Sequence, residues 1–170
     1  MSRNLILLVV LLSCYISCSL AKDDGFIVPA REQCGTENAC GVGQVCVCRD
    51  GAYHCVLLTE CTDVAVVQTI EKSWRESDCD YTIYRVHIFN YGSHHINQIN
   101  IATDGTMALR DGNSVWNIQF ANGIFSLPSY SHGIDPFQMF SFGYIVRGKT
   151  SPNLFITAIN FSTDHYLVSV

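Results

Sequence analysis

The clearest alternation of polar and hydrophobic positions lies between Tyr81 and Ile88. One set of alternating residues is Thr82, Tyr84, Val86 and Ile88, and the other is Tyr81, Ile83, Arg85 and His87. A repeat of two residues is typical of a β-strand that buries one face and exposes the other. The pattern therefore predicts a strand with Tyr84 and Val86 towards a core, and with Tyr81, Arg85 and His87 on the polar side.

Short segments of similar character follow, separated by turn residues. Strands are predicted around Ile99 and Ile101 and over residues 115–120, 140–146, 154–161 and 166–170. Turns are predicted at Asp104-Gly105, Asp111-Gly112 and Asn122-Gly123, with a break at Leu127-Pro128. No segment shows a sustained helical repeat. Many short strands at this spacing predict an all-β domain, an antiparallel β-sandwich over residues 62–170.

The first 21 residues are predicted to be a cleaved signal peptide. Arg3 precedes an apolar run from Leu5 to Leu12, and Ser19-Leu20-Ala21 fits the rule for cleavage after small residues. A membrane anchor is the alternative, but this run is far shorter than the ~20 residues that span a bilayer. The protein is therefore expected to be secreted to an extracellular matrix or cell wall. Asn160-Phe161-Ser162 is a predicted glycosylation site.

Residues 22–61 form a cysteine-rich region, in which Cys48 to Cys55 reads as a hairpin around Asp50-Gly51. In a secreted chain such density predicts a small disulfide-rich module before the sandwich. Its six cysteines are expected to form three bridges, with the 15 possible pairings left open. They are Cys34, Cys40, Cys46, Cys48, Cys55 and Cys61. Cys79 is expected to remain unpaired. Zinc is the alternative, but only His54 stands among these cysteines.

The charge balance narrows the choice of partners. The full chain carries 10 basic and 15 acidic residues, a net charge of −5. No basic stripe is visible, so nucleic acid and anionic membranes are not expected as partners.

A set of motifs in residues 64–159 resembles a known family. The motifs are Ser73-Trp74, the segment from Tyr81 to Asn90, isoleucines at 96, 99 and 101, Ser114-Val115-Trp116-Asn117, Leu127-Pro128-Ser129-Tyr130 and Phe142-Gly143-Tyr144-Ile145. In this order they are similar to carbohydrate-binding module family 49, found in slime-mould matrix proteins and certain plant endoglucanases. The resemblance implies a non-catalytic β-sandwich that binds cellulose through exposed aromatic rings.

The residue chemistry agrees, because the apolar C–H faces of glucose rings pack on Trp and Tyr. Trp74 lies among charged residues and Tyr81 on the polar face of its strand, so both are expected to be exposed. Tyr130 lies between serines after Pro128, as in a loop. Trp116 shares a periodicity with Ile118 and Phe120 that favours the core, whereas the family motif places a binding Trp there.

The predicted carbohydrate-binding residues are therefore Trp74, Tyr81, Trp116 and Tyr130. Phe140, Phe142 and Tyr144 are assigned to the core.

Other functions find less support in the sequence. A glycosidase needs two carboxyl groups across the scissile bond, one with a raised pKa. Asp78, Asp80, Asp104 and Asp111 all lie in turn-like segments. His94 and His95 are adjacent and would point to opposite faces of a strand, so no metal site is expected. No cofactor is expected either. The alternative is an adhesive or protease-inhibitor-like protein that acts through the cysteine-rich module, with matrix proteins as its partners and the sandwich as a tether.

Overall fold

The computed structural model describes Cys34 and residues 40–162. Within these residues the chain forms ten β-strands, with a 3₁₀ turn at Leu58–Glu60. The strands are β1 (Gln44–Arg49), β2 (Ala52–Leu57), β3 (Val64–Glu76), β4 (Cys79–Asn90), β5 (Ile96–Thr103), β6 (Val115–Trp116), β7 (Gln119–Ala121), β8 (Ile124–Ser126), β9 (Met139–Arg147) and β10 (Leu154–Phe161). The described part contains no helix long and apolar enough to cross a membrane. The predicted signal peptide and the predicted strand at 166–170 lie outside the described residues.

The strands form two sheets. The larger has the order β2-β1-β10-β5-β8-β7, and the smaller has the order β3-β4-β9-β6. Neighbouring strands are antiparallel except β1 and β10, which run parallel. The predicted all-β sandwich is confirmed.

The core lies between the two sheets because every second side chain points inwards. In β4, Thr82, Tyr84, Val86, Ile88 and Asn90 are buried, whereas the residues between them are half-buried. Phe125 of β8 meets the rings of Phe142 and Tyr144 of β9 at centroid distances of 5.1 and 5.8 Å. Phe142 and Tyr144 are fully buried, and Phe140 is partly buried against the same cluster. The assignment of these three residues to the core is confirmed.

Two-residue turns join several of the strands. Asp50 and Gly51 have φ values of 52° and 75°, and Asn122 and Gly123 have values of 53° and 77°. Both hairpins were predicted, because Asp-Gly and Asn-Gly suit a turn with two left-handed residues. The turn between β3 and β4 has the same property at Ser77 and Asp78, at 48° and 67°. Because this turn contains no glycine, the sequence pattern does not predict it.

The hairpin β1–β2 is part of the larger sheet. The sequence predicts a domain boundary between Cys61 and Thr62, yet Cys46, Val47 and Cys48 of β1 pair with Ala158, Ile159 and Asn160 of β10. Val45 is fully buried and belongs to the same hydrophobic cluster as β4 and β9. The strands on either side of the expected boundary therefore share one sheet and one core.

The disulfides differ from the expectation. Cys34 is bonded to Cys46 and Cys40 to Cys55, whereas Cys48 and Cys61 are free thiols. Cys79, which was expected to be unpaired, is disulfide-bonded. The prediction of three bridges within Cys34–Cys61 is therefore wrong.

The alternation of β1 explains why Cys48 and Cys61 do not pair with each other. Cys48 lies on the same side of β1 as Cys46, whereas Cys61 lines a pocket with Val47 and Arg49 from the other side. The strand separates the two sulfur atoms. The Sγ atoms of Cys34, Cys40 and Cys46 lie within 4.8 Å of one another. Each is in a disulfide and has no thiolate to offer a metal.

The predicted glycosylation site lies on the side of the larger sheet away from the core. Asn160 of β10 is half-buried, between the buried Ile159 and Phe161. A glycan on this side chain would lie on the opposite side of the sandwich from the four-stranded sheet. Its attachment stays a prediction.

If the hairpin shares the core of the sandwich, Val45→Ala should lower the free energy of unfolding of the whole domain. Removing two buried methyl groups costs about 2 kcal/mol. Val42→Ala is the matched control, because Val42 is 87% exposed. Denaturant unfolding followed by circular dichroism and by tryptophan fluorescence should show one transition for both variants. A separate transition for the hairpin, or no effect of Val45→Ala, would contradict the shared core.

Candidate functional site

The side of the four-stranded sheet that faces away from the core is here called the outer face. From β4 it carries Tyr81, Ile83, Arg85, His87 and Phe89, all half-buried. The cross-strand partners of these residues point the same way, because directly opposed residues of an antiparallel pair share a face. Trp74 of β3 is opposite Tyr81, and Ser141 of β9 is opposite His87. The outer face is therefore built from three long strands.

Trp74 and Tyr81 form a stacked pair at one end of the outer face. Their ring centroids are 5.5 Å apart, with an interplanar angle of 29°. The guanidinium carbon of Arg110 lies 5.8 Å from the Trp74 centroid and 5.3 Å from the Tyr81 centroid, within the range of cation–π attraction. The Arg110 backbone N–H donates to the carbonyl of Ile145 at 3.0 Å, which fixes this residue beside β9. Both rings remain half-exposed.

A β-bulge at Glu71 places Trp74 on this face. Before the bulge, Ile70 is opposite the buried Tyr84, whereas after it Lys72 is opposite Ile83. The register shift leaves Glu71 without a direct partner and exchanges the two faces for the rest of β3. Without this extra residue, Trp74 would point to the same side as Ile70 and away from Tyr81.

Trp116 also lies on the outer face, and the expectation that it shares a face with Ile118 and Phe120 is wrong. The predicted strand over 115–120 is broken at Asn117, which has a φ of 60°. Trp116 ends β6 in the smaller sheet, whereas Phe120 belongs to β7 in the larger sheet and its ring lies 4.4 Å from that of Phe125. A left-handed residue interrupts the two-residue period, so periodicity does not carry across it.

The indole of Trp116 lies directly against the backbone of β9. Trp116 is opposite Gly143, and a Cβ added to Gly143 would lie 2.3 Å from the indole ring. A side chain at position 143 would therefore displace the ring. Glycine permits this close approach.

A hydrogen bond to Asn117 places Tyr130 beside the outer face. Its hydroxyl donates to Oδ1 of Asn117 at 3.3 Å, and Nδ2 of Asn117 donates to the carbonyl of Ser141. Tyr130 is 68% exposed, as expected of a loop residue. The four aromatic residues selected from the sequence therefore all lie on or beside the outer face.

The charged groups of the outer face are mostly paired with one another. Arg85 contacts both carboxylate oxygens of Glu71 at 3.0 and 3.1 Å, and Arg110 lies 3.8 Å from Glu76. His87 shares a hydrogen bond of 2.8 Å with Ser141. The face thus combines aromatic rings and polar groups with two ion pairs, and Lys72, opposite Ile83, and Arg147, opposite Tyr81, are its further charged residues. Such a surface suits an uncharged ligand.

Sequence reasoning did not identify three residues that position the rings, namely Arg110, Asn117 and Glu71. A signal was present for Asn117, because Asn is one of the few residues that enter the left-handed region readily. Arg110 lies in a turn segment far from Trp74 in sequence, and nothing in the local pattern indicates their contact. The bulge at Glu71 likewise has no signature in the residues around it.

Two of the four carboxyl groups weighed as candidate acids have a lowered pKa. For Asp104, partial burial raises the pKa, but hydrogen bonds from Thr106 and Asn153 outweigh it and the net shift is downwards. For Asp111, a backbone hydrogen bond from Asn113 is the main cause of the lowered pKa. A general acid in a glycosidase needs the opposite shift. Asp78 and Asp80 are ion-paired at 3.5 Å, with Arg75 and Lys149 respectively.

A separate pocket of about 330 Å³ lies beside the hairpin β1–β2 and the 3₁₀ turn. Its lining includes Val47, Arg49, Cys61, Asp63 and Phe161, and Arg49 is ion-paired with Asp63 at 3.2 Å. Burial, followed by the charge of Asp63, raises the pKa of the Cys61 thiol. None of the four aromatic residues selected from the sequence lines this pocket.

The contact between Trp116 and Gly143 yields a test of the site geometry. Gly143→Ala should displace the indole towards solvent, because the added Cβ would overlap with it. In a Trp74→Phe background, where Trp116 alone emits, we expect a red shift of the fluorescence maximum. Gly112→Ala is the matched control, because nothing lies within 4 Å of a Cβ at that position. An unchanged spectrum for Gly143→Ala would contradict the close packing.

Comparison with known proteins identifies the family to which the chain belongs. The family description of the carbohydrate-binding domain CBM49 matches residues 64–148. Stalk-specific proteins B and A of Dictyostelium discoideum are 36% and 35% identical to this chain over 135 residues, which is 76% of this chain and 85% of each relative. The solved chitin-binding domain of Chi18aC from Streptomyces coelicolor aligns with a TM-score of 0.41 and 14% identity, covering 57% of this chain and 92% of that chain. Since the family match runs from β3 to the end of β9, the chain belongs to the carbohydrate-binding domain family CBM49.

Proposed function

We propose that this protein is a secreted, non-catalytic module that binds cellulose or a related β-glucan of an extracellular matrix or cell wall. The observation that supports the proposal most is the convergence of Trp74, Tyr81, Trp116 and Tyr130 on one face. These residues come from three strands of the smaller sheet and from one loop, and they lie on or beside the same face.

The chemistry of the outer face matches that of a β-glucan. The polymer is uncharged, and its sugar rings have apolar faces with hydroxyl groups around their edges. Aromatic rings bury the apolar faces, while the side chains of Asn117 and Ser141 offer hydrogen bonds to hydroxyls. The paired state of Arg85 and Arg110 limits the desolvation cost that unpaired charges would add.

Rigidity of the platform favours binding. The pairing of β3 with β4, the stacking of the two rings and the contact with Arg110 fix Trp74 and Tyr81 in place. Packing against Gly143 of β9 fixes the ring of Trp116. Rings that are already fixed lose little conformational freedom when a ligand arrives, so more of the contact energy appears as affinity.

The location in a matrix is inferred from the relatives. Both Dictyostelium proteins are named as stalk-specific. We infer that the present chain acts in an extracellular structure that contains polysaccharide. The family description supports carbohydrate binding as such, and the preference for cellulose is part of the proposal.

The alternative function, adhesion or inhibition through the cysteine-rich region, is not separable from the first by removing that region. A fragment that begins at Thr62 would lose the pairing of β1 with β10 and the buried Val45. The two functions are therefore better separated by point variants in the full chain. Tyr53 of β2 is 51% exposed, so a Tyr53→Ala variant tests whether the hairpin takes part in binding.

The protein should sediment with microcrystalline cellulose and remain bound in ~1 M salt. Stacking on an uncharged polymer releases no counterions, unlike binding to a polyanion, so its salt dependence is weak. A depletion assay over a range of salt concentrations measures this. Elution by salt alone would contradict an aromatic mechanism.

Truncation of the rings should weaken binding without unfolding the domain. Trp74→Ala, Tyr81→Ala, Trp116→Ala and Tyr130→Ala should each lose about ten-fold in affinity, since a stacked ring is worth ~1–3 kcal/mol in the related case of nucleic-acid bases. Depletion isotherms measure affinity, and thermal melts by circular dichroism measure stability.

Two control variants distinguish a loss of binding from a loss of folding stability. Tyr53→Ala should bind normally, because its ring lies on the other sheet. Phe142→Ala should lower stability by about 3–5 kcal/mol, because its ring is fully buried. If the four outer-face variants bind like the wild type while Tyr53→Ala loses binding, the function lies in the hairpin.

A further inference from the structure

A second group of apolar side chains lies at the other end of the outer face. Phe89 of β4 is opposite Met139 of β9, and Tyr91 follows the end of β4. The rings of Phe89 and Tyr91 are stacked, with centroids 5.6 Å apart and an interplanar angle of 8°. Tyr91 is 57% exposed and Met139 is 55% exposed. These three residues and Phe137 are here called the distal cluster.

Phe137 stands in a strained position. The backbone N–H of Gln138 donates to the carbonyl of Asp135 at 3.1 Å, which closes a turn with Pro136 and Phe137 at its centre. Phe137 has a φ of 60°. Proline followed by a residue of positive φ is the arrangement of a type II turn, in which the second position normally belongs to glycine. A bulky aromatic residue there costs conformational free energy.

Burial of the Phe137 ring does not offset this strain. The residue is 73% exposed, the largest exposure of any aromatic residue in the described part. The turn thus presents an apolar ring to solvent at a position where glycine would be relaxed. Strained residues of this kind cluster where a ligand is bound.

The turn is anchored to the end of β4 by a buried residue. The side-chain nitrogen of Asn90 donates to the carbonyls of His94, Ile134 and Asp135 at 2.8, 3.0 and 3.1 Å, and its backbone N–H donates to Gln138 at 2.9 Å. Asn90 is 1% exposed and stands between Phe89 and Tyr91. The same residue therefore fixes the strand end and the turn, so the distal cluster is preorganised.

We infer that the distal cluster is a second subsite for the same polysaccharide, binding sugar rings further along the chain that occupies Trp74, Tyr81 and Trp116. This inference rests on the proposed function. Tyr81 and Phe89 are eight residues apart on one strand, a distance of about 27 Å at the usual rise per residue. One extended glycan can cross both groups, and the distal cluster contains no charged side chain.

A second copy of this chain is the less suitable occupant. A stable protein interface buries about 800 Å² on each partner. Four side chains at one end of a sheet offer far less area than that. A sugar chain needs only a few ring contacts, and it reaches the cluster by continuing along the face.

The test compares a short and a long oligosaccharide. Cellotriose can occupy one group of rings, whereas cellohexaose can reach both. Phe137→Gly and Tyr91→Ala should bind cellotriose like the wild type and cellohexaose about five- to ten-fold more weakly, as expected for the loss of one stacked ring. Isothermal titration calorimetry measures both affinities. Phe155→Ala is the matched control, because Phe155 is 42% exposed on the larger sheet.

Phe137→Gly should also change the melting temperature. Because glycine relieves the left-handed strain, this variant should melt a few degrees higher than the wild type while binding cellohexaose less well. A structural role for the ring predicts the reverse, a lower melting temperature.

Four results would overturn the inference, and the last of them would also overturn the proposed function. If neither variant weakens cellohexaose binding, or if both lose cellotriose and cellohexaose equally, the distal cluster is no separate subsite. If the wild type sediments as a dimer and Phe137→Gly as a monomer, the cluster is an interface between copies. Failure of the wild type to bind either sugar would instead remove the proposed function, and this inference with it.

Discussion

Successive side chains of a β-strand must point to opposite sides, and in β4 this constraint couples the core of the molecule to its outer face. β4 pairs with both β3 and β9, so its register determines which residues of those strands are buried. Tyr84 and Val86 fill the sandwich, while Tyr81 and Phe89 mark the two ends of the exposed side. A shift of one residue would bury the rings that we assign to the ligand and expose the core.

The binding rings depend on local departures from this regular alternation. The bulge at Glu71 brings Trp74 to the side of Tyr81, and the left-handed Asn117 ends β6 so that Trp116 stays on the smaller sheet. Six residues other than glycine have positive φ in the described part, and four of them form the two-residue hairpin turns. The remaining two are Asn117 and Phe137, which both border the outer face. Backbone strain outside the hairpins is thus confined to the neighbourhood of the proposed site.

Strands with regular alternation could be predicted from the sequence, as β4 and β9 show, and so could the glycine-containing hairpins. The prediction of one strand over 115–120 failed because the left-handed residue Asn117 changes the side to which the following side chains point. A two-residue period holds only where every residue has an extended backbone. The prediction of the disulfides failed for another reason. Cys48 and Cys61 are close in sequence but lie on opposite sides of β1, which only the pairing of β1 with β10 determines. The rings were found through the family motifs, whereas their support by Arg110 depends on contacts between distant segments.

The most direct test of the proposed site uses the two tryptophans of the chain, Trp74 and Trp116, both of which we place on the outer face. Each indole N–H gives its own signal in an NMR spectrum of ¹⁵N-labelled protein. Titration with cellohexaose should shift both indole signals and the backbone signals of β4 and β9, and should leave Tyr53, Phe155 and the pocket around Cys61 unchanged. Shifts confined to that pocket or to β1 and β2, with both indole signals unmoved, would contradict the assignment of the outer face as the binding site.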